Sequence, residues 1–363
     1  MLNRNVNLKN KTILITGAAG FIGANLVQEL IRTQSPVNII GIDSLNDYYD
    51  VSIKLYRLDE IQKTADAYPQ SIWTFVKGNI ADRDHVNSVF RDYRPSIVVN
   101  LAAQAGVRYS ISNPDAYIES NLIGFYNILE ACRHSYDGGS SGVEHLVYAS
   151  SSSVYGSNKK VPYSTEDKVD QPVSLYAATK KSNELLAHAY ARLYNIPSTG
   201  LRFFTVYGPA GRPDMAYFGF TNKLRAGEKI QIFNYGNCKR DFTYVDDIVE
   251  GVKRVMQRAP ERKIGEDGLP MPPYAVYNIG NSSPENLLDF VDILQQELIR
   301  AGVLPRDYDF ESHRELVPMQ PGDVPVTYAD TSALEKDFGF RPGTDLRTGL
   351  RKFAEWYREF YLS

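Results

Sequence analysis

A short segment of apolar and β-branched residues, Thr12-Ile13-Leu14-Ile15-Thr16, is followed at once by the glycine-rich segment Gly17-Ala18-Ala19-Gly20-Phe21-Ile22-Gly23. The first five residues are apolar or β-branched and predict a buried strand, and Phe21 to Thr33 predicts an amphipathic helix. Glycines between a strand and a helix permit a tight turn and let a pyrophosphate approach the helix N-terminus, where N–H groups and the helix dipole hold negative charge. Gly17, Gly20 and Gly23, with Phe21 and Ile22, therefore predict a dinucleotide-binding turn.

The first half of the chain continues to alternate short apolar runs with longer amphipathic stretches, which is typical of β-α-β units and a parallel sheet. We predict further strands at Val37–Ile42, Thr74–Val76, Ile97–Leu101, Leu146–Tyr148 and Ser198–Phe203, and helices at Arg83–Arg91, Asp115–Arg133 and Val173–Tyr194. After about Val206 the chain becomes rich in Pro and Gly. A surface loop is expected over Ala259–Tyr274, and a helix over Glu285–Ala301 with Ser283 as its cap and Pro284 at its first position.

These patterns predict an α/β protein in two parts. Residues 1–205 are expected to form a Rossmann-type domain, a doubly wound parallel sheet that binds NAD. Residues 206–363 are expected to form mostly a smaller C-terminal mixed α/β lobe that binds the nucleotide sugar, with some segments, for example about 241–257, returning to the first domain.

Asp43 ends the predicted second strand, twenty residues after Gly23. A carboxylate at this place accepts hydrogen bonds from the adenosine ribose hydroxyls and repels a 2′-phosphate. The sequence therefore predicts NAD, and not NADP, as the cofactor.

Tyr176 and Lys180 lie four residues apart in a predicted helix, so their side chains share one face. A free tyrosine hydroxyl, with a pKa of about 10, is a poor base at neutral pH. A nearby lysine ammonium and a positive nicotinamide would lower that pKa and let Tyr176 exchange a proton with a sugar hydroxyl. The Ser-rich turn after the strand Leu146–Tyr148 would bring Ser151 to the same edge of the sheet, where it could relay that proton.

Composition narrows the class of protein. The chain has 363 residues, 43% hydrophobic and 23% charged, with a net charge of -3, so we expect a globular protein that binds no nucleic acid. Two cysteines form no disulfide framework, and five scattered histidines show no metal-ligand spacing. The sequence contains no run of about twenty apolar residues, so we expect no membrane span. We expect a cytoplasmic protein without a metal.

Together these motifs resemble the extended short-chain dehydrogenase/reductase superfamily. Longer stretches are similar to the UDP-glucuronate 4-epimerases, and the resemblance covers about residues 10 to 361. These stretches are Leu101–Ser110, Val173–Lys181, Leu201–Met215, Lys239–Glu250 and Pro318–Asp330. The resemblance implies an NAD-dependent isomerase that interconverts UDP-glucuronate and UDP-galacturonate through a 4-keto sugar.

The resemblance also implies roles for individual residues. Ser151 matches the catalytic hydroxyl, Tyr176 the base and Lys180 the residue that binds the nicotinamide ribose. Further matches to positions that line the cofactor are Leu101, Ala102, Ala103, Asn121 and, with Asn in place of the usual Asp, Asn79 beside Ile80. Matches to positions that hold the nucleotide sugar are Thr205, Arg240 and Asp323. Gln320 stands where galactose-type epimerases carry an arginine. The resemblance therefore implies that Arg240 makes a larger share of the contacts to the UDP diphosphate.

Arg212, in Gly211-Arg212-Pro213-Asp214-Met215, resembles the carboxylate-binding loop of this subfamily. A guanidinium suits bidentate binding of a carboxylate. It would also oppose loss of CO₂ from the 4-keto uronate. We therefore expect Arg212, helped by Ser152 and Ser153, to hold the sugar carboxylate, and regard Arg108 as a weaker candidate for a sugar or phosphate contact.

Three alternatives remain open at this stage. The chain could epimerise another UDP-sugar, such as an N-acetylhexosaminuronate or a neutral hexose. It resembles UDP-glucuronate decarboxylases too, but these carry Glu at the position of Ser153, and 4,6-dehydratases carry Asp and Glu at the positions of Ser152 and Ser153. A catalytically silent NAD-binding scaffold is the third.

The helices Asp115–Arg133 and Val173–Tyr194 resemble the pair through which the superfamily dimerises, so the resemblance implies a homodimer. We expect the product to serve polysaccharide biosynthesis.

Overall fold

Apolar runs in the first half of the chain form the parallel strands of one central sheet. The computed structural model describes residues 4–266, 268–319 and 324–362. Its strands are, in chain order, β1 (Thr12–Thr16), β2 (Asn38–Asp43), β3 (Ile72–Lys77), β4 (Ile97–Asn100), β5 (His145–Ser151), β6 (Ser198–Phe203), β7 (Thr205–Tyr207), β8 (Ile230–Ile232), β9 (Lys239–Tyr244), β10 (Lys263–Ile264), β11 (Pro270–Met271), β12 (Tyr274–Ile279), β13 (Pro284–Asn286) and β14 (Arg314–Leu316).

The helices follow the strands in alternation through the first half of the chain. In chain order they are α1 (Phe21–Gln34), α2 (Val51–Ala67), α3 (Arg83–Tyr93), α4 (Tyr109–Ser112), α5 (Pro114–Tyr117), α6 (Gly124–His134), α7 (Leu175–Tyr194), α8 (Ala216–Arg225), α9 (Val245–Met256), α10 (Leu287–Arg300), α11 (Ser332–Phe338) and α12 (Leu346–Leu362). A π-helical segment, Ile118–Ile123, joins α5 to α6, and short 3₁₀ turns include Ser152–Tyr155 directly after β5.

The central sheet has the strand order β12-β6-β5-β4-β1-β2-β3. Every neighbouring pair in this order is parallel. The carboxyl ends of the strands therefore meet at one edge, where open parallel sheets bind their ligands. The chain order reverses at β1, so the loops after β1 and β4 diverge there and open a crevice.

Both faces of the sheet are buried, as a doubly wound fold requires. Ile13 and Ile15 of β1 pack into one apolar cluster together with Leu26 of α1 and Val252 of α9. Leu14, which points the other way, joins a second cluster with residues of α3, α6 and α7. The predicted Rossmann-type fold is confirmed.

The rest of the chain forms a smaller mixed lobe. A three-stranded sheet has the order β13-β9-β7, antiparallel in the first pair and parallel in the second, and β14 pairs with β8. Two later elements return to the main sheet: α9 contacts α1, and β12 pairs with β6. The helix α9 lies within the segment near 241–257 that we gave as an example, and β12 is a second returning segment, which the sequence pattern did not locate. The division at residue 205 stays a prediction.

The predicted start of the helix at Glu285 is wrong. Pro284, Glu285 and Asn286 form the edge strand β13, which pairs with β9, and α10 begins only at Leu287. Its cap is Asn286, whose Oδ1 accepts a hydrogen bond from the Leu288 N–H at 2.8 Å. Pro284 lacks an N–H and fits an edge strand, so its tertiary pairing prevails over the local Ser-Pro signal.

Three other segments also differ from the prediction. The helix α2 was missed, because two of the residues it buries are charged, Lys54 and Arg57, and they interrupt its apolar stripe. The predicted loop Ala259–Tyr274 contains the small hairpin of β10 and β11. The predicted helix Asp115–Arg133 is interrupted by the π-helical segment. No helix within the described residues combines the length and the apolar character needed to cross a membrane.

A buried ion pair joins α7 to the sheet. Glu184 of α7 and Arg202 of β6 are 2% and 3% exposed, and Arg202 donates from Nε and Nη2 to the two carboxylate oxygens at 2.8 and 2.9 Å. Burial opposes the charged carboxylate, but the hydrogen bond and charge of Arg202 outweigh it, so the pKa of Glu184 is lowered. The pair is fully desolvated, and each partner depends on the other.

Replacing Arg202 alone should therefore leave a buried carboxylate without its counter-ion. We expect Arg202→Met to lower the free energy of unfolding by about 3–5 kcal/mol, measured by urea denaturation. The double variant Glu184→Leu/Arg202→Met should lose less free energy of unfolding than the single variant, because it leaves no buried charge unpaired. Lys63→Met, which removes a solvent-exposed ion pair, serves as the control and should leave the unfolding midpoint unchanged. Equal midpoints for Arg202→Met and Lys63→Met would contradict this account.

Candidate active site

The glycine turn brings three backbone segments into close contact. Gly17 has φ +71°, and a Cβ built there would lie 2.8 Å from the Ala102 nitrogen after β4. A Cβ on Gly23 would lie 2.1 Å from the Gly17 carbonyl oxygen. Side chains at these positions would force the strand and helix apart, so glycine is required for the turn. The first helix starts at Phe21, and the Gly20 that precedes it provides no side-chain cap.

A cleft of about 260 Å³ lies at the carboxyl edge of the sheet. It lies at the reversal of strand order, as the fold rule predicts. The residues predicted to bind the cofactor that line it are Gly17, Gly20, Phe21, Ile22, Gly23, Asp43, Asn79, Ile80, Leu101, Ala102, Ala103, Tyr176 and Lys180. Ser151 and Arg212 line the same cleft.

Asp43 lies at the end of β2 and is 9% exposed. Its Oδ2 accepts a hydrogen bond from the Ala19 N–H at 3.1 Å, and its Oδ1 accepts one from the Leu45 N–H at 2.9 Å. The carboxylate therefore holds the glycine turn in place while it faces the cleft. Each carboxylate oxygen has further lone pairs for a ribose hydroxyl.

The helix α7 carries the predicted catalytic pair. Ser174 caps it by accepting a hydrogen bond from the Ala177 N–H at 3.1 Å, which places Tyr176 and Lys180 in its first two turns. Lys180 is 3% exposed and donates from Nζ to the Ala149 carbonyl of β5 at 3.0 Å. Burial lowers the pKa of Lys180 to about 8. Among the described residues only this carbonyl accepts from the ammonium, so two N–H donors remain for a ligand.

Tyr176 has a different electrostatic environment from the one expected. Burial raises its pKa, while the Ser151 hydroxyl and the Arg212 guanidinium act to lower it. The expected influence of Lys180 is not among these causes. Ser151 ends β5 and accepts a hydrogen bond from the Ser153 N–H at 3.1 Å, which fixes its oxygen beside the start of α7. The structure thus brings Ser151, Tyr176 and Lys180 together.

Arg212 lines the cleft from the loop between β7 and α8. Its Nε and Nη2 donate to the two oxygens of Asp214 at 3.0 and 2.5 Å. Tyr48, from the loop after β2, donates to Asp214 Oδ2 at 3.2 Å across the cleft. Sequence reasoning missed both partners, because their meeting depends on two loops far apart in the chain.

Other predicted residues lie outside the lining of this cleft. Asn121 is buried behind it, where its amide accepts from the Gln104 N–H at 2.8 Å and donates to the Gln104 carbonyl at 3.0 Å, so it supports the loop after β4. Arg108 is exposed, with its guanidinium 5.1 Å from the centre of the Phe233 ring. Arg240 donates from Nη1 to the carbonyls of Lys239 and Pro325 at 3.1 and 3.2 Å.

Three hydroxyl side chains and one carboxylate complete the predicted set. Ser152 and Ser153 lie on the 3₁₀ turn after β5, and the Ser153 hydroxyl is buried with no hydrogen-bond partner among the described residues. Thr205 begins β7 and pairs with Phe242 of β9. Asp323, like Gln320, lies outside the described residues.

Arg57 is a site residue that sequence reasoning did not find. Its buried guanidinium donates to the Ala19 carbonyl of the glycine turn at 2.9 Å and to the carbonyls of Ala210 and Gly211, directly before Arg212, at 2.7–2.9 Å. It also donates to the Tyr49 hydroxyl at 2.7 Å. Arg57 thus ties the two sides of the cleft together. The only signal for it would have been the missed helix α2.

Within residues 4–266, 268–319 and 324–362 no cluster of His, Cys, Asp and Glu has the arrangement of a metal site. The functional groups that line the cleft are three phenols (Tyr48, Tyr49 and Tyr176), two lysine ammonium groups (Lys54 and Lys180), the guanidinium of Arg212, the carboxylate of Asp43 and several hydroxyls. That set can move a proton at a hydroxyl and hold an anionic group.

Comparison with known proteins identifies the family of this chain. Residues 13–280 match the model of the NAD dependent epimerase/dehydratase family. The chain is 50% identical to Protein CapI of Staphylococcus aureus, covering 96% of this chain and 99% of that protein. It is 44% identical to UDP-glucuronate 4-epimerase 4 of Arabidopsis thaliana, covering 96% of this chain and 76% of the relative.

A solved structure extends the likeness to the fold. The UDP-glucuronic acid 4-epimerase from Bacillus cereus, in complex with UDP-glucuronic acid and NAD, superposes with a TM-score of 0.79 at 28% identity. The match covers 96% of this chain and all of the other. The resemblance drawn from the sequence motifs is confirmed, and the chain belongs to the NAD dependent epimerase/dehydratase family.

Proposed function

We propose that this protein is an NAD-dependent isomerase that interconverts UDP-glucuronate and UDP-galacturonate at C4. The observation that carries the proposal is the meeting of Ser151, Tyr176 and Lys180 in the cleft that Arg212 also lines. The first three form a proton-exchange site, and Arg212 adds a fixed positive charge suited to a uronate. Relatives and solved neighbours that act on UDP-glucuronic acid support the same substrate.

The residues of the cleft fit NAD. The glycine turn leaves space along the helix N-terminus that a Cβ would fill, which suits a pyrophosphate. Asp43 would accept from the ribose hydroxyls of the adenosine, and the two remaining donors of Lys180 would hold the nicotinamide ribose. When bound, NAD would accept hydride from C4 of the sugar and return it to the other face, so no second substrate is consumed.

The chain's own residues would supply the proton chemistry. Tyr176 would take the proton from the C4 hydroxyl and later return one, with Ser151 hydrogen-bonded to the same oxygen. Because burial raises the pKa of Tyr176, the positive charge of Arg212 and that of a bound nicotinamide would be needed to favour its phenolate. The buried cleft strengthens these charge effects, since little water screens them.

The uronate carboxylate needs a partner that keeps it in place during turnover. A 4-keto group β to a carboxylate promotes loss of CO₂, and an arginine paired with the carboxylate stabilises the charge that departure would remove. We propose Arg212 for this role, with the Ser152 and Ser153 hydroxyls as neighbours and Thr205, Arg240 and Asp323 toward the UDP group. The Ser153 hydroxyl has no hydrogen-bond partner among the described residues, and Ser153 follows by two residues Ser151, which lines the cleft.

The alternative functions fit less well. Decarboxylases and dehydratases of this type need an acidic residue at position 153, or at 152 and 153, and this chain has serine at both. A neutral hexose offers no carboxylate to Nη1 of Arg212, the nitrogen that Asp214 does not bind. A silent NAD-binding scaffold would not need the Ser151, Tyr176 and Lys180 constellation.

Removing the Tyr176 hydroxyl should abolish proton exchange at C4. We expect Tyr176→Phe to lower the rate of UDP-galacturonate formation from UDP-glucuronate by about 10²–10⁴-fold, followed by chromatography of the products. Tyr190→Phe is the matched control, because Tyr190 lies on the same helix and its hydroxyl bonds Glu130 at 2.7 Å away from the cleft. An unchanged rate in Tyr176→Phe would refute the mechanism and remove the basis for the substrate.

Removing the Arg212 guanidinium should weaken recognition of the uronate. We expect Arg212→Met to lower kcat/KM for UDP-glucuronate about 10- to 100-fold, since a charge-assisted hydrogen-bonded pair is lost. A decarboxylated UDP-pentose should appear among the products, and NAD affinity should stay the same. Arg254→Met, which removes a guanidinium paired with Glu250, is the control. Parallel loss of NAD binding and uronate turnover would mean that Arg212 only supports the fold.

We further propose a homodimer formed by α6, the π-helical segment before it, and α7. These neighbouring helices expose apolar side chains that include Ile123, Leu185 and Leu193, at 47%, 60% and 69%. A second copy of the chain would bury these side chains in a four-helix bundle.

We place the protein in the cytoplasm, and its product in the synthesis of a capsule or cell-wall polysaccharide.

Light scattering tests the dimer. The wild-type protein at micromolar concentration should have twice the chain mass of 40.9 kDa. Leu185→Asp should shift the mass toward one copy, because a charge would be buried in the interface. Leu55→Asp is the control, since Leu55 is 53% exposed on α2, outside the proposed interface. A wild-type mass of one copy would rule out the dimer.

A further inference from the structure

The guanidinium of Arg212 has two hydrogen-bonding edges, and only one of them is used by the protein. Asp214 binds the Nε and Nη2 edge through both carboxylate oxygens. Nη1 donates to none of the described residues. Arg212 lines the cleft, whereas Asp214 is not among the residues that line it. Nη1 is therefore the nitrogen of this cleft-lining guanidinium that Asp214 leaves for a ligand.

Asp214 is itself held from the opposite side of the cleft. The Tyr48 hydroxyl donates to Asp214 Oδ2 at 3.2 Å, and the Tyr48 ring packs on Tyr109 with centroids 4.7 Å apart. Burial, and then the charge of Asp214, raise the pKa of Tyr48 to about 12, so its hydroxyl stays protonated and donates at neutral pH. Gly106, with φ +103°, allows this approach, because a Cβ there would lie 2.9 Å from the Tyr48 oxygen.

We infer that Tyr48 and Asp214 are positioning residues that aim Arg212 at the sugar carboxylate and so set the preference for a uronate over a neutral hexose. The inference rests on the proposed function, because it assigns the substrate carboxylate to Arg212. A long arginine side chain loses rotamer freedom when it binds a ligand, and this loss costs free energy. Because the Asp214 carboxylate already holds the Arg212 guanidinium before the ligand binds, part of that cost is avoided. The hydrogen bond from Tyr48 to Asp214 connects the loop after β2, on the nucleotide side of the cleft, to the loop that carries Arg212 on the sugar side.

The opposite role is the competing interpretation of the same contacts. If Asp214 had to leave Arg212 before the sugar carboxylate could bind, it would compete with the substrate. Removal of Asp214 would then strengthen uronate binding. Positioning predicts the reverse, so the sign of the change distinguishes the two roles.

The test compares the dissociation constants of UDP-glucuronate and UDP-glucose by calorimetry on the NAD-loaded protein. In Asp214→Ala, uronate binding should weaken about tenfold, a loss of about 1.4 kcal/mol, while UDP-glucose binding should be unchanged. Asp214→Asn keeps an acceptor oxygen for Arg212 and should retain part of the preference. In Tyr48→Phe, the affinity for UDP-glucuronate should fall about two- to threefold. A role limited to stability would not change the ratio of the two constants.

The chain offers a matched control far from the cleft. Tyr277 donates to Asp337 Oδ2 at 2.7 Å, and Arg258 Nη1 lies 3.6 Å from Asp337 Oδ1, so this is a second Tyr–Asp–Arg array. Asp337→Ala should change neither constant. An unchanged or increased uronate preference in Asp214→Ala would overturn the inference. Because binding is measured directly, this result is separate from the proposed function, which fails instead if the wild-type protein does not epimerise UDP-glucuronate.

Discussion

The buried ion pair between Glu184 and Arg202 is the interaction on which the geometry of the active site depends. Tyr176, Lys180 and Glu184 follow one another at intervals of four residues, so they lie along one face of α7. Glu184 binds Arg202 of β6 and accepts a hydrogen bond from the Ser150 hydroxyl at 2.7 Å. Ser150 directly precedes Ser151. One carboxylate therefore fixes both the helix that carries the phenol and the strand that carries the catalytic serine.

Proton exchange at a single sugar carbon requires this kind of fixed geometry. Reacting groups that are held in place before the substrate arrives avoid much of the entropy cost of reaching the transition state. The ion pair continues into a network, since Arg202 also donates to the Tyr155 hydroxyl at 3.0 Å and Tyr155 donates to Asn278 of β12 at 2.7 Å. The last strand of the sheet, although it comes late in the chain, thereby helps to hold the catalytic end of β5.

Arg57 makes a second connection of the same kind. It is a buried cation whose partners are carbonyl oxygens and one tyrosine hydroxyl, and it joins the glycine turn to the loop that carries Arg212. A residue on a helix that the sequence pattern did not predict therefore sets the spacing between the nucleotide side and the sugar side of the cleft. Local patterns could not identify it, because a charged residue in a helix usually faces water and here it faces the interior.

The sequence by itself determined six of the seven strands of the central sheet, the glycine turn, the place of Asp43 at the end of β2 and the helical spacing of Tyr176 and Lys180, because each depends on short-range periodicity, turn chemistry or helical spacing. The sequence pattern predicted the start of α10 wrongly, because the Ser-Pro signal is local whereas the pairing of Pro284 with β9 joins distant parts of the chain. Only the tertiary structure decided which side chains meet: Arg212 with Asp214 and Tyr48, Arg57 with the glycine turn, and Glu184 with Arg202. Those contacts join residues up to 166 positions apart, and their energy comes from burial and from charges that become neighbours only when the chain is folded.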